Sequence, residues 1–299
     1  SVEWEEGGSS TAGTGSATVT IGQAVVGEDV IAFSGTGGTD FTLTNQGEVG
    51  GGVTLISYGE DTAWTETGTW GEDLASGATT GAVSYQSNWT GVGGDIDAQV
   101  DGVIGSDLEG PLAYGSVTLT SGEDGLYAFS NGGDVTVEVT GQVVGDITLI
   151  AVGEDGSFSY DTSWENVGVS YGEDWAYLTG GDLVGEDYGY TSTHTTGTAS
   201  LVIDAANTSR PSNFGDITVI GVEGASLEIA AGNRVVNQTD GGYVYIGSVF
   251  TDYTYDFSYD PAGATWTQSQ SWTPVAGPAT LVNHGIIGFD GSYPGDLSH

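Results

Sequence analysis

No stretch longer than about ten residues keeps apolar side chains at helical spacing without a glycine breaking it, and glycine fills 53 of the 299 positions. A glycine inside a helix costs roughly 1 kcal/mol against alanine, so helices of useful length are excluded. What remains between the glycines is short and alternating: Ala17-Thr-Val-Thr-Ile21, Val53-Thr-Leu-Ile-Ser-Tyr58, Val135-Thr-Val-Glu-Val139 and Ala199-Ser-Leu-Val-Ile203, each bounded by Gly or Asp turns. Alternation of this kind is the mark of strands with one buried side. The expected class is all-β, as β-sandwich-like modules with long hairpins, with an irregular β-helix or solenoid as the alternative.

The clearest alternation sets Tyr253, Tyr255, Phe257 and Tyr259 against Asp252, Thr254, Asp256 and Ser258, followed by the turn Asp260-Pro-Ala-Gly263 and a second run ending at Trp272. Residues 251–273 therefore read as a long hairpin with one aromatic and one polar face. Its aromatic face needs a cover, either the core of the protein or a neighbouring subunit.

Internal repetition runs through the first two thirds. Val53-Thr-Leu-Ile-Ser-Tyr-Gly-Glu-Asp61 parallels Ile147-Thr-Leu-Ile-Ala-Val-Gly-Glu-Asp155, with fainter copies at Val117-Thr-Leu-Thr120 and Ile217-Thr-Val-Ile220. Their unequal spacing argues against a strict solenoid and for divergent duplicated modules. Three regions are expected: a polar N-terminal arm over 1–16, disordered unless gripped, a repeat-bearing β region over 17–208, and a C-terminal β region over 209–299 holding the aromatic hairpin. The polar, turn-rich segment Ser209-Arg-Pro-Ser-Asn-Phe-Gly215 marks the second boundary.

Charge limits the partners. Forty-one acidic residues face two basic ones, Arg210 and Arg234, for a formal net charge of −39. Nucleic acid and anionic membranes need clusters of Lys and Arg that this chain cannot supply. So much self-repulsion is tolerable where salt or divalent cations screen it, which points to an ion-rich exterior setting. The absence of cysteine leaves no disulfide or thiolate metal site, and no run of about 18 apolar residues could cross a membrane as a helix. A start at Ser1 without Met fits removal of a leader. The sequons at Asn88, Asn207 and Asn237 mark candidate glycosylation sites.

Seven Gly-Glu-Asp triplets recur. Glycine takes positive φ and Asp caps the turn, so each can link two strands. Paired carboxylates also suit calcium, and Asp29, Asp61, Asp124, Asp155 and Asp174 are the candidate ligands. No other cofactor is called for. His194, His284 and His299 sit in separate polar contexts with no metal-ligand spacing, and no Gly-x-Ser-x-Gly elbow is present. Acids are so plentiful that a pair at glycosidase spacing carries no information; the chain reads as a non-enzyme.

Two segments, Leu43-Thr-Asn-Gln-Gly-Glu-Val49 and Leu281-Val-Asn-His-Gly-Ile-Ile287, share Leu-x-Asn-x-Gly-x-aliphatic. This pattern resembles the turns of β-helical adhesins of the filamentous-haemagglutinin kind. In residue usage the chain resembles secreted acidic Gly/Thr-rich surface proteins, filament or adhesin subunits of halophilic archaea and marine bacteria. The resemblance implies a structural subunit of an extracellular assembly, a filament, sheath, surface layer or virion coat, joined to itself through the arm and edge strands. The alternatives are a calcium-dependent adhesion or carbohydrate-binding module that takes glycans, and a polysaccharide-active enzyme.

Overall fold

The computed structural model describes residues 1–105, 125–171, 176–204, 213–237 and 243–289, and these are built of strands and turns with no helix. After an N-terminal strand β1 (Val2–Ser10), the chain winds through a first coil, β2 (Ala17–Ile21), β3 (Val25–Val26) and β4 (Val30–Ser34), and a second, β5 (Thr39–Leu43), β6 (Glu48–Val49) and β7 (Val53–Ser57). It then leaves as a long hairpin, β8 (Glu60–Glu72) and β9 (Thr79–Gly91), and returns for the third coil, β10 (Ile96–Val100), β11 (Val103–Ile104) and β12 (Leu126–Ser130). The fourth coil is β13 (Val135–Val139), β14 (Gln142–Val144) and β15 (Ile147–Ala151). A second hairpin follows, β16 (Glu154–Glu165) and β19 (Asp182–His194), with a small one at its tip, β17 (Gly168–Tyr171) and β18 (Ala176–Thr179). The fifth coil is β20 (Thr198–Ile203), β21 (Asn213–Phe214) and β22 (Ile217–Gly221), and the sixth is β23 (Gly224–Ile229), β24 (Arg234–Asn237) and β25 (Val244–Gly247). The third long hairpin, β26 (Val249–Asp260) and β27 (Thr265–Ala276), leads to a last coil, β28 (Ala279–Asn283) and β29 (Ile286–Phe289).

First, second and third strands of successive coils pair in parallel, forming three sheets ordered β2-β5-β10-β13-β20-β23-β28, β3-β6-β11-β14-β21-β24-β29 and β4-β7-β12-β15-β22-β25. The all-β class holds. The arrangement is the solenoid alternative rather than sandwich modules, because the strands that looked like duplicated modules belong to one parallel sheet: Val53, Leu126, Ile147 and Ile217 occupy one column. Unequal sequence spacing misled because hairpins interrupt the winding without disturbing it. Of the segment 209–215, Asn213 and Phe214 form β21, which pairs with both β14 and β24, and residues 209–212 lie outside the described residues. The faint copy at Val117 lies outside the described residues.

Inward-facing positions form aliphatic columns. Phe41, Ala98, Val137, Leu201 and Leu227 stack from the first sheet, and Leu55, Ala128, Leu149 and Val219 from the third, all 3% exposed or less. Each large side chain so buried contributes roughly 1.5–3 kcal/mol. At one corner the inner position is serine, whose buried hydroxyl donates to a turn carbonyl: Ser57 Oγ to Gly35 O at 2.9 Å and Ser130 Oγ to Gly94 O at 2.8 Å.

The long hairpins issue from the second, fourth and sixth coils and pair with one another into a fourth sheet, antiparallel, ordered β1-β8-β9-β16-β19-β26-β27. Strands lie about 4.8 Å apart, so a two-stranded hairpin is as wide as two coils are tall. One hairpin in every second coil therefore tiles a continuous flanking sheet with neither gap nor overlap. The expected hairpin at 251–273 is the last of three. The expected free arm is an ordered edge strand instead, gripped by β8 over the whole of Val2–Ser10.

Candidate functional site: an open aromatic face

Alternation in the flanking sheet puts every side chain of one parity on one face. Across the strands, Trp64, Phe158, Tyr190 and Tyr255 share a row, the next holds Tyr85, Tyr160, Tyr188 and Phe257, and a third holds Trp89, Tyr253 and Trp272. The opposite face carries Ser, Thr, Gly, Asn, Gln and Asp, among them Asn88, Ser157, Thr191 and Thr254 in one row. The rings touch across strands: Tyr160 and Tyr188 centroids are 5.0 Å apart, Tyr188 and Phe257 5.7 Å, Tyr253 and Trp272 5.6 Å. Such contacts are worth about 0.5–1.5 kcal/mol each beyond area burial, and they hold together a sheet that has no core of its own.

Three tryptophans lie over glycines directly opposite them. An added Cβ at Gly68 would fall 1.9 Å from the Trp4 ring, one at Gly8 2.8 Å from Trp64, and one at Gly156 2.0 Å from Trp89. Glycine is required because a side chain would lift the ring off the backbone. The rings reach across to the neighbouring strand and fill the space above those glycines.

Among the described residues no second layer covers this face: the central rings Phe158, Tyr160, Tyr188 and Tyr190 are half-buried, and towards the margins Trp64, Trp266 and Trp272 are 37%, 64% and 58% exposed. Only the outer end is closed: Val167, just before β17, and Leu178 of β18 sit over Gly81, and Trp70 Nε1 donates to Val167 O at 3.0 Å. Polar groups punctuate the rings. Tyr160 Oη donates to Glu186 Oε1 at 3.3 Å, and burial, then the Glu186 charge, push its phenol above the usual range. Tyr58 Oη donates to Glu60 Oε2 at 3.0 Å, a bond that raises its pKa further than its burial does. Both phenols stay neutral donors at any ordinary pH. Ser192 Oγ donates to Glu154 Oε1 at 2.7 Å, and His194 Nδ1 meets Asp252 Oδ1 at 3.2 Å beneath the Phe250 ring.

The calcium candidates do not converge. Asp29 Oδ1 accepts from Gly52 N at 2.8 Å at a coil corner, Asp61 Oδ1 accepts from Ala12 N at 2.7 Å, and Asp155 lies at the base of β16 between Thr90 and Thr193. Asp124 and Asp174 lie outside the described residues. No group of three or more His, Cys, Asp or Glu is gathered among the described residues. The corner acids serve the backbone: Asp95 and Asp134 accept from Asp134 N and Thr198 N, at 2.9 and 2.8 Å, and Asp146 and Asp216 accept from Asp216 N and Tyr243 N, at 2.8 and 3.0 Å. Each carboxylate caps the equivalent residue one coil along, a ladder that sequence reading reached only as turn capping within single triplets. On the outer face of the first sheet, burial and the neighbouring Asp40, Asp95 and Asp134 raise the Asp97 pKa.

Of the sequons, Asn88 is exposed on the polar face of β9, Asn237 ends β24, and Asn207 lies outside the described residues. The two Leu-x-Asn-x-Gly segments occupy the same corner, between β5 and β6 and between β28 and β29. No helix among the described residues is long and apolar enough to cross a membrane. Sequence reading found one hairpin of the aromatic face, β26 with β27, and missed the rest. The available signal was aromatic residues an even number of positions apart in each long strand, as at Trp64 and Trp70, Tyr85 and Trp89, Phe158 and Tyr160, and Tyr188 and Tyr190. Comparison with protein families, curated proteins and solved structures gave no match.

Proposed function

We propose that this chain is a structural subunit of an extracellular assembly that grows by stacking solenoids end to end. One observation carries the reading: no acid occurs between Asp260 and Asp290, and that run supplies β27, β28 and β29, the strands that end three of the sheets. In so acidic a chain this is the place where two copies can meet without repulsion. Edge strands are usually blunted by charge, and β28 and β29 carry none; Pro274 blunts β27. Leu281 stands in the core column next to Leu227, yet is 49% exposed because no described residue lies beyond it, and Ile287, in the column of buried Val235, is 38% exposed. At the other end the inward-facing Val19, Val26 and Val30 of the first coil pack on the core yet are only half-buried.

Strands of both end coils run the same way round, so β2 and β3 of one copy continue β28 and β29 of another by parallel pairing. The contact is head to tail and does not close, which gives a filament. The N-terminal strand is not needed for it, being paired with β8 in its own chain.

Electron microscopy of the protein in high salt tests this. Seven coils at about 4.8 Å predict an axial repeat of about 34 Å. Leu281→Asp should leave soluble monomers that melt near the parent temperature. Parent protein that stays monomeric at high concentration in salt, or Leu281→Asp filaments like the parent's, rejects the proposal.

A further inference from the structure

We infer that the open aromatic face binds a neutral polysaccharide chain laid across the strands. Its surface is built from rings with polar rims rather than from the Leu, Ile and Val that fill the solenoid. Trp4, Trp64 and Trp89 lie over their glycines, and Trp64 and Tyr85 stack with an interplanar angle of 21°. A sugar ring offers a face of C–H groups the size of such a ring, and that face packs on an exposed π surface through dispersion and the ring quadrupole. Successive rings stand one strand apart, and neighbouring centroids are 5.0–6.3 Å apart. The seven strands span roughly 30 Å at about 4.8 Å each, room for a chain of sugars rather than a single one.

The carboxylates on this face decide between occupants. Glu66 lies in the row of Tyr85 and Glu186 in that of Tyr259 and Trp266. Laid against a second copy, they would be buried among rings with no lysine and only two arginines in the whole partner to meet them, and a buried unpaired carboxylate is prohibitive. A polyanion is repelled by the net charge of −39. An uncharged ligand dense in hydroxyls satisfies both demands: its O–H groups donate to Glu66 and Glu186 while its C–H faces cover the rings.

Affinity electrophoresis in gels containing hydroxyethyl cellulose, a mixed-linkage glucan or a galactomannan tests the inference, with alginate and chitosan gels beside them. It is run on the parent chain and on Leu281→Asp, so that binding is read on a chain that cannot stack and a failure of stacking leaves it unaffected. Retardation by at least one neutral polymer, lowered at least tenfold by Tyr190→Ala with Tyr253→Ala, is the expected result. Tyr190→Phe with Tyr253→Phe should keep most of it, as should Thr191→Ala with Thr254→Ala on the opposite face. No retardation by any neutral polymer, retardation by chitosan alone, or equal loss in the Thr pair overturns the inference. So does a dimer in sedimentation that the ring variants dissolve.

Discussion

The solenoid and the flanking sheet obey the same alternation and spend it differently. In the solenoid the inward side of each strand is aliphatic and sealed by strands that come round again one coil later, as Leu149 is between Ala128 and Val219. In the flanking sheet the corresponding side is aromatic and remains half open, because a single layer has nothing opposite it. Burial must then come from neighbours in the same plane, and only large flat side chains reach them: Tyr188 touches Phe158, Tyr160 and Phe257. An isolated two-stranded hairpin is marginal in water. Three hairpins joined edge to edge, rooted in alternate coils, lend each other that lateral contact. The solenoid therefore supplies stability by excluding water, while the flanking sheet keeps a surface that water, or a ligand, can reach.

The largest expected effect that sharpens this contrast is in the core. Leu149→Ala should cost about 2–5 kcal/mol, seen as a lower urea midpoint reported equally by far-UV circular dichroism and tryptophan fluorescence. Loss of one signal alone would break the picture of the solenoid as the root of both regions. Tyr188→Ala removes three ring contacts worth about 0.5–1.5 kcal/mol apiece, and the total should fall below the Leu149 cost because the site is already wet. Hydrogen exchange should quicken in β16, β19 and β26 while β13, β15 and β20 keep their protection; uniform quickening would show the two regions to be one cooperative unit.

The smallest effect concerns charge on the solenoid's outer face. Asp97 binds its proton more tightly folded than unfolded, through burial first and then through Asp40, Asp95 and Asp134. Its ionised form therefore opposes folding at neutral pH, and the opposition fades as pH falls through the raised pKa. Asp97→Asn should stabilise the protein at pH 7 by about 0.5 kcal/mol after solvent screening. The gain should vanish near about pH 3, where both side chains are neutral. Thermal melts at the two pH values check it, and a destabilised variant at pH 7 would reverse the sign.

Much of this was legible in the residues and some was not. Glycine spacing excluded helices, and the echo between Val53-Thr-Leu-Ile and Ile147-Thr-Leu-Ile identified strands that stand two places apart in one sheet. The turn at Asp260 was legible because Asp260 Oδ1 caps Ala262 N at 3.0 Å within four residues. The coil corners were only half legible, since Asp134 caps Thr198, an amide far along the chain that no local pattern names. The aromatic face was legible strand by strand, but not as a face.

The sequence by itself determined what is local: strands rather than helices, which side chains share a side of each strand, where the chain turns, and a net charge of −39 with no acid over residues 261–289. Tertiary structure alone decided which strands are neighbours. Parallel coils, the fit of a two-stranded hairpin to the height of two coils, and the laying of Trp64 over Gly8 all depend on pairing between distant residues. Alternation specifies a side, never a partner, and the partner is settled by which arrangement buries the aliphatic columns while pairing the backbone N–H groups of the interior strands.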